Sequence, residues 1–263
     1  MTSSERGASI YRELARDIRN KIKNSVYPLG KKLPTEVDLA EEYGVTRVTV
    51  NRALAILRAE GWVRVHRGVG TIVRDIPPLI RDASARHSRS HRERGGARGA
   101  FAAELADRDY KMDTRNIIDR VRPPQNVADI LGVSSAEVST VMRARYMKIV
   151  PAPDGRSIPY QIAVSYIPLA IAEGTQIEDE DTGVGGISSR LADLGRAQAS
   201  IEETVDVRPP EPEEMNFLEV TEDQRVYEIL HVGEDDDGQP VKVTVFVIPT
   251  HLTKLRYRMR LED

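Results

Sequence analysis

The segment from Leu33 to Val73, LPTEVDLAEEYGVTRVTVNRALAILRAEGWVRVHRGVGTIV, constrains the fold more than any other part of the chain. Thr46-Arg47-Val48-Thr49-Val50 is rich in β-branched residues and read alone would suit a strand. The strand template fails beyond Val50. Val50, Ala53, Leu54 and Leu57 instead recur at three- and four-residue spacing, which predicts a helix over 46–60 with Thr46 at its N-cap and Gly61 closing it. Before it, Thr35 can cap a shorter helix, with Glu36 and Asp38 in the first turn, Leu39, Ala40 and Tyr43 on the buried side and Gly44 at the end. Upstream, Ile10, Leu14, Ile18 and Ile22 mark a helix beginning near Ser9 and ending before Pro28. Downstream, Trp62-Val63-Arg64-Val65-His66 alternates, turns through Arg67-Gly68-Val69-Gly70 and resumes at Thr71, as a hairpin does.

Two short helices joined by a tight turn, with a polar, cationic N-terminal face on the second, describe a helix-turn-helix. The hairpin makes it winged. Arg47, Asn51 and Arg52 face away from the apolar stripe and Thr49 lies at its edge, so these residues are the candidates for contact with base edges and phosphates. Charge points the same way. Residues 1–98 hold 20 Lys or Arg against 11 Asp or Glu, whereas residues 99–263 hold 18 against 30. The basic front suits a polyanion and the acidic back a different partner.

The Leu33–Val73 segment resembles the DNA-binding domain of the GntR family of bacterial transcription regulators. The resemblance implies that Arg47 and Thr49 contact DNA, with Arg67 and Gly68 at the wing tip. The chain departs from the family in carrying Val37 and Asn51 where arginine is usual or frequent, which shifts operator preference; Arg52 can replace one phosphate contact. DNA-binding candidates are thus Thr35, Arg47, Thr49, Asn51, Arg52, Arg67 and Gly68.

Residues 77–100, PPLIRDASARHSRSHRERGGARGA, are rich in Pro, Ser, Gly and Arg and show no periodicity, so a flexible linker over 76–100 is expected between domains at 1–75 and 101–263. His87 and His91 have ligand-like spacing but no third ligand nearby, so no metal is expected.

The back of the chain contains an echo. VRPPQNVADILGVSSAEVSTVMRARYM at 121–147 resembles VRPPEPEEMNFLEVTEDQRVYEILHVG at 207–233, and IPYQIAVSYIP at 158–168 resembles QPVKVTVFVIP at 239–249. Each copy reads strand, short helix, strand, turn, strand; the first has the longer turn, 150–155. Two such halves predict an α+β domain with an antiparallel sheet and a ligand crevice where they meet. GGISSRLADLGR between them reads as a helix.

This order resembles the UTRA effector domain of the HutC subfamily, whose fold is similar to that of chorismate lyase. The resemblance implies a small metabolite that changes operator affinity, and an anion held by Arg143 and Arg145, which share a strand face and offer bidentate bonds. Gln161 and Lys242 stand where relatives often have Glu, which disfavours an amino-sugar ligand. Ser188 and Ser189 can donate to an anion at a helix start; Ser165 and Thr244 complete the candidate set. An enzyme is not expected: His231 and His251 sit in no motif, and no nucleophile–base pair or phosphate loop appears. The expectation is a cytoplasmic, homodimeric DNA-binding repressor without cofactor: there are no cysteines, no apolar signal core and no run near the ~18 apolar residues of a membrane span.

Overall fold

A computed structural model describes residues 3–66, 68–151 and 156–259. The chain forms two compact units, one of residues 1–79 with 221–225 and 250–254, the other of 80–220, 226–249 and 255–263.

The first unit begins with α1 (Ser3–Lys23), followed by α2 (Glu36–Tyr43) and α3 (Arg47–Ala59). α1 starts before the expected Ser9. Leu14, Ile18 and Ile22 are buried on its apolar stripe, whereas Ile10 at the end of that stripe is 44% exposed. Thr35 caps α2 in a reciprocal box with Asp38, and Gly44 ends it at φ 61°, a left-handed geometry that glycine adopts without strain. Thr46 then caps α3 by accepting from the Thr49 N–H. Val50, Ala53, Leu54 and Leu57 join Leu14, Ile18 and Leu39 in one core. The strand-like Val-Thr-Val is the first turn of this helix because the alternative would expose Val50, which is fully buried. β1 (Val63–His66) pairs antiparallel with β2 (Gly70–Val73) as the wing.

The second unit contains the segment expected as a flexible linker, and that expectation is corrected. Residues 79–106 form β3 (Leu79–Asp82), α4 (Arg89–Arg92) and α5 (Ala100–Ala106). Arg81 is 2% and Arg86 4% exposed. Arg81 makes a two-pronged ion pair with Glu203 at 2.8 and 2.5 Å, Arg86 lies 3.5 Å from Glu104, and Phe101 stacks on Tyr160.

The remainder is the duplicated fold. β4 (Tyr110–Val121), α6 (Gln125–Leu131), β5 (Thr140–Pro151) and β6 (Ile158–Pro168) form the first copy. The short α7 (Leu169–Ala172) and α8 (Gly186–Asp193) follow. β7 (Ser200–Arg208), α9 (Pro212–Leu218), β8 (Val226–Glu234) and β9 (Pro240–Pro249) form the second copy, and β10 (Thr253–Arg256) lies beside β3. The tip of the longer first turn, residues 152–155, lies outside the described residues. The sheet order β4-β5-β6-β9-β8-β7 is a palindrome of the two copies, antiparallel throughout. Val164 pairs with Val245, its own counterpart, so a local dyad passes between β6 and β9. One sheet face is covered by α6 and α9, each packed on the central strand of the other copy: Val127 and Leu131 lie against Val243, and Leu218 and Val220 against Ile162 and Val247. Ile187 and Leu191 of α8 pack with Val141, Ile167 and Val241. Among the described residues no helix is long and apolar enough to cross a membrane.

The Arg81–Glu203 pair fastens residues 80–106 to the sheet. Arg81→Ala should cost about 3–5 kcal/mol of unfolding free energy, because it strands a buried carboxylate; equilibrium denaturation monitored by circular dichroism measures this.

Candidate DNA interface and anion cavity

On α3 the packing that buries Val50 and Ala53 leaves Arg47, Val48, Asn51 and Arg52 exposed on one side. The Arg47 side chain is 66% exposed and loosely paired with Glu36 at 3.4 Å, so it is available to a nucleic acid. Thr49 is half-buried and its hydroxyl lies 3.0 Å from that of Thr46, which ties it to the cap. Thr35 is likewise exposed but engaged in capping. Gly68 sits at the wing tip at φ 79° with open space around it; Arg67 lies outside the described residues. The sequence reading missed two neighbours. Lys32 is bridged to Ile72, which places its stem against Gly70 at the wing. Val48 is 62% exposed, an apolar side chain in the first turn of a cationic helix face, where a thymine methyl is a suitable contact.

In the second unit the dyad builds the other site. Arg145 of β5 and His231 of β8 are counterparts, as are Gln161 of β6 and Lys242 of β9, and all four line one cavity of about 80 Å3. Residues 80–106 and α8 complete its wall with Arg86, His87, Arg92, Arg98, Gly186 and Ser188. Five cationic side chains line it and no carboxylate does. Lys242 Nζ donates to Ser188 Oγ at 3.2 Å and Gln198 Oε1 at 3.1 Å. Burial, with Arg145, Arg92 and Arg86 around it, pushes the Lys242 amine down to about 7. Arg145 lies deep in the unit with its remaining surface turned to the cavity; burial, Arg143 and Arg86 bring it down to about 10. Among the described residues Arg145 has no hydrogen-bond or ion-pair partner, and its Nε is enclosed and unsatisfied. A second cavity of about 410 Å3 shares Arg98, Arg145 and Met147 with the first and is bordered by Thr114, Asn116, Glu180 and Asp181.

The other expected ligand residues are differently occupied. Arg143 shares the face of Arg145 as expected and borders the second cavity, but its guanidinium donates to the carbonyls of Ile177, Asp179 and Glu180 and so holds that turn. Ser189 donates to Glu93 at 2.6 Å and accepts from Arg92 at 3.0 Å. Ser165 and Thr244 are buried and bonded to each other at 2.9 Å beside the dyad.

His87, Glu203 and His231 come together beside the cavity, with donor atoms within 4.8 Å of one another. Sequence reasoning, treating His87 as part of a linker and His231 as isolated, could not foresee this. Glu203 accepts from Arg81 through both oxygens and lies 3.2 Å from His231 Nδ1. Burial alone would raise its carboxyl, but bonds from Arg81, His231 and His87 hold it far below the usual carboxylate range. Burial lowers His87 to about 4 and His231 to about 3. Arg81, Arg86 and Lys242 surround the trio with positive charge, which opposes a dication; the trio reads as a buried charge network.

Both histidines are neutral in the fold and protonate near 6.5 when unfolded, so their stabilisation is complete above about 6.5 and lost as pH falls towards 4. Denaturation of the protein should lose up to about 1.4 kcal/mol per pH unit per histidine in that window. His87→Gln with His231→Gln should flatten the slope.

Comparison with known proteins identifies both parts of the chain. The model of the bacterial regulatory proteins of the gntR family matches residues 10–73, and that of the UTRA domain matches residues 108–253. An HTH-type transcriptional regulator of Streptomyces coelicolor is 30% identical over 243 residues, covering 90% of this chain and 87% of the relative. The HTH-type transcriptional regulator GmuR of Bacillus subtilis is 28% identical, covering 88% and 90%. The crystal structure of PhnF from Mycobacterium smegmatis shares the fold with a TM-score of 0.56 at 17% identity, covering 96% of this chain and all of that one. The two matched domains and these relatives point to transcription regulation and away from an enzyme. The chain belongs to the GntR family of bacterial transcription regulators, with the GntR and UTRA arrangement of its HutC-type members.

Proposed function

We propose that this regulator is a repressor that binds a palindromic operator as a dimer and is released by a small anionic metabolite. The observation that carries the ligand class is the cavity on the dyad, where Arg86, Arg92, Arg98, Arg145 and Lys242 converge with no lining carboxylate. Like charges held together in a poorly solvated site repel one another. Burial first, and then the neighbouring Arg145, Arg92 and Arg86, depress the Lys242 amine, and an anion relieves that repulsion. Arg145 and Lys242 take the anionic head, with Ser188 and Gln161 donating hydrogen bonds. The adjoining cavity, with Thr114, Asn116 and Asp181, suits a polar ligand body bearing hydroxyl groups. Arg143 and Ser189 act by holding the walls.

At the other end Arg47, Asn51 and Arg52 read or grip the major groove, with Lys32 and the wing backbone around Gly68 near phosphates. Two heads bind half-sites roughly one DNA turn apart. The ligand favours a state of the second unit in which the heads no longer match that spacing, a population shift.

Two outcomes test this reading. Sulfate, whose charge is constant over the range, should bind the parent protein in titration calorimetry and bind Arg145→Met at least tenfold more weakly. Because binding restores the Lys242 proton, its affinity should fall by up to about tenfold per pH unit above 7. Equal binding by parent and variant, with no pH slope, contradicts the assignment. In the head, Arg47→Ala should weaken operator binding by about 1–3 kcal/mol relative to non-specific DNA at fixed salt. An unchanged ratio removes Arg47 from base reading.

A further inference from the structure

We propose that β4 is the surface through which two copies of this chain meet, pairing antiparallel with itself about Ile117 to join two sheets into one. This rests on the dimeric reading above and names its contact. β4 is the outermost strand of the sheet order and is paired along its whole length on one side, from Tyr110 opposite Pro151 to Val121 opposite Thr140. That ladder has no bulge, while the β5–β6 and β8–β9 ladders each have one. Among the described residues no strand lies on its other edge. A long, regular, open edge is a template for another strand, and proteins blunt such edges with charge unless the edge is used.

The charges on β4 select a partner. Burial alternates along the strand, leaving Lys111, Asp113, Arg115, Ile117 and Asp119 exposed on one face. Among the described residues none of those four charges forms an ion pair within the chain; Arg115 lies over the Tyr146 ring at 4.4 Å. Ile117, in the middle of the row, is 43% exposed. When two β4 strands run antiparallel with Ile117 facing its own copy, Arg115 of each stands opposite Asp119 of the other. Thr114 then faces Arg120, Asn116 faces Ile118 and Asp113 faces Val121, so no like charges meet. Other same-face registers are poorer. A dyad at Asp113, Arg115 or Asp119 sets a charge against itself, one at Asn116 sets Asp113 against Asp119, and one at Ile118 makes no opposite-charge pair. A dyad at Thr114 does pair Asp113 with Arg115, but it sets the exposed Ile117 against Lys111 and leaves Asp119 without a partner on the strand. Like charges directly opposite destabilise a sheet and opposite ones support it.

The other edge, β7, is unsuited. It carries Glu202 and Asp206 exposed, and its one arginine, Arg208, is already bonded to Glu214 and Glu228. It also exposes Ile201, Val205 and Val207, but it is the shorter edge, 9 residues against 12, and with Arg208 occupied it offers no free cation to stand opposite those two acids.

Sedimentation equilibrium of the full chain tests the assignment by charge exchange. Arg115→Asp and Asp119→Arg each place like charges opposite one another twice and should raise the dimer dissociation constant about tenfold or more. Combined in one chain they recreate the pairs in reverse and should restore it to within a few-fold of the parent. A second measurement does not depend on tolerance of those reversals. The chain has no cysteine, so Ile117→Cys introduces one thiol per copy, and facing Cα atoms about 4.5–5.5 Å apart fall in the range a disulfide spans. Mild oxidation should convert it to a covalent dimer, while Asp113→Cys should stay uncrosslinked. A dimeric parent whose single reversals dissociate no more readily, or an Ile117→Cys chain that does not crosslink, overturns the β4 contact and leaves the dimer standing. A parent that stays monomeric at operator-binding concentrations overturns both.

Discussion

The Arg81–Glu203 ion pair holds the second unit in its observed form. Arg81 precedes the helical segment that ends at Ala106, and Glu203 lies on the outermost strand of the second copy. Joining them across 122 positions lays residues 80–106 over the polar face of the sheet. Two charges with side chains 2% and 5% exposed have given up much of their hydration. The two-pronged geometry and the neighbouring histidine recover part of that cost, and a buried pair of this kind fixes position more than it adds stability. It seats the start of the segment from which Arg86, Arg92 and Arg98 reach the cavity, each held further by a partner of its own, Glu104, Ser189 and Asp181.

The second constraint is the duplication. A dyad between β6 and β9 sets counterparts on one face, and divergence has turned them into complementary roles: Arg145 opposite His231, and Gln161 opposite Lys242. At the remaining pair, Met147 corresponds to Gly233, and the missing side chain there admits Gln198, whose Nε2 would lie 1.6 Å from a Cβ at Gly233. Gln198 accepts from both Lys242 and Ser188 and thereby aims the amine. The asymmetry of the cavity therefore grows from a symmetric frame.

Most of the first unit could be read from the chain, because its helices are short, periodic and capped by their own neighbours: Thr35, Gly44 and Thr46 do what local chemistry requires. The repeat likewise disclosed the sheet, and the two-residue spacing of Arg143 and Arg145 placed them on one face of it. The failure lay at residues 79–106. Their composition resembles a linker because their order comes from partners far along the chain, Glu203 for Arg81 and Tyr160 for Phe101, and no local period records such pairing. Arg143 shares the face of Arg145, but its carbonyl partners at 177–180 are set by a turn whose path the sequence does not dictate. His87 meeting His231 was hidden for the same reason. Six arginines between 81 and 98 were the available signal.

The proposed anion seat among the cations on the dyad can be observed by anomalous diffraction from crystals of the protein soaked in selenate. A selenium peak should stand within hydrogen-bond distance of Arg145 and Lys242 and be lost in Arg145→Met crystals. Selenate found only on the outer surface, with that cavity filled by water at the same concentration, would contradict it.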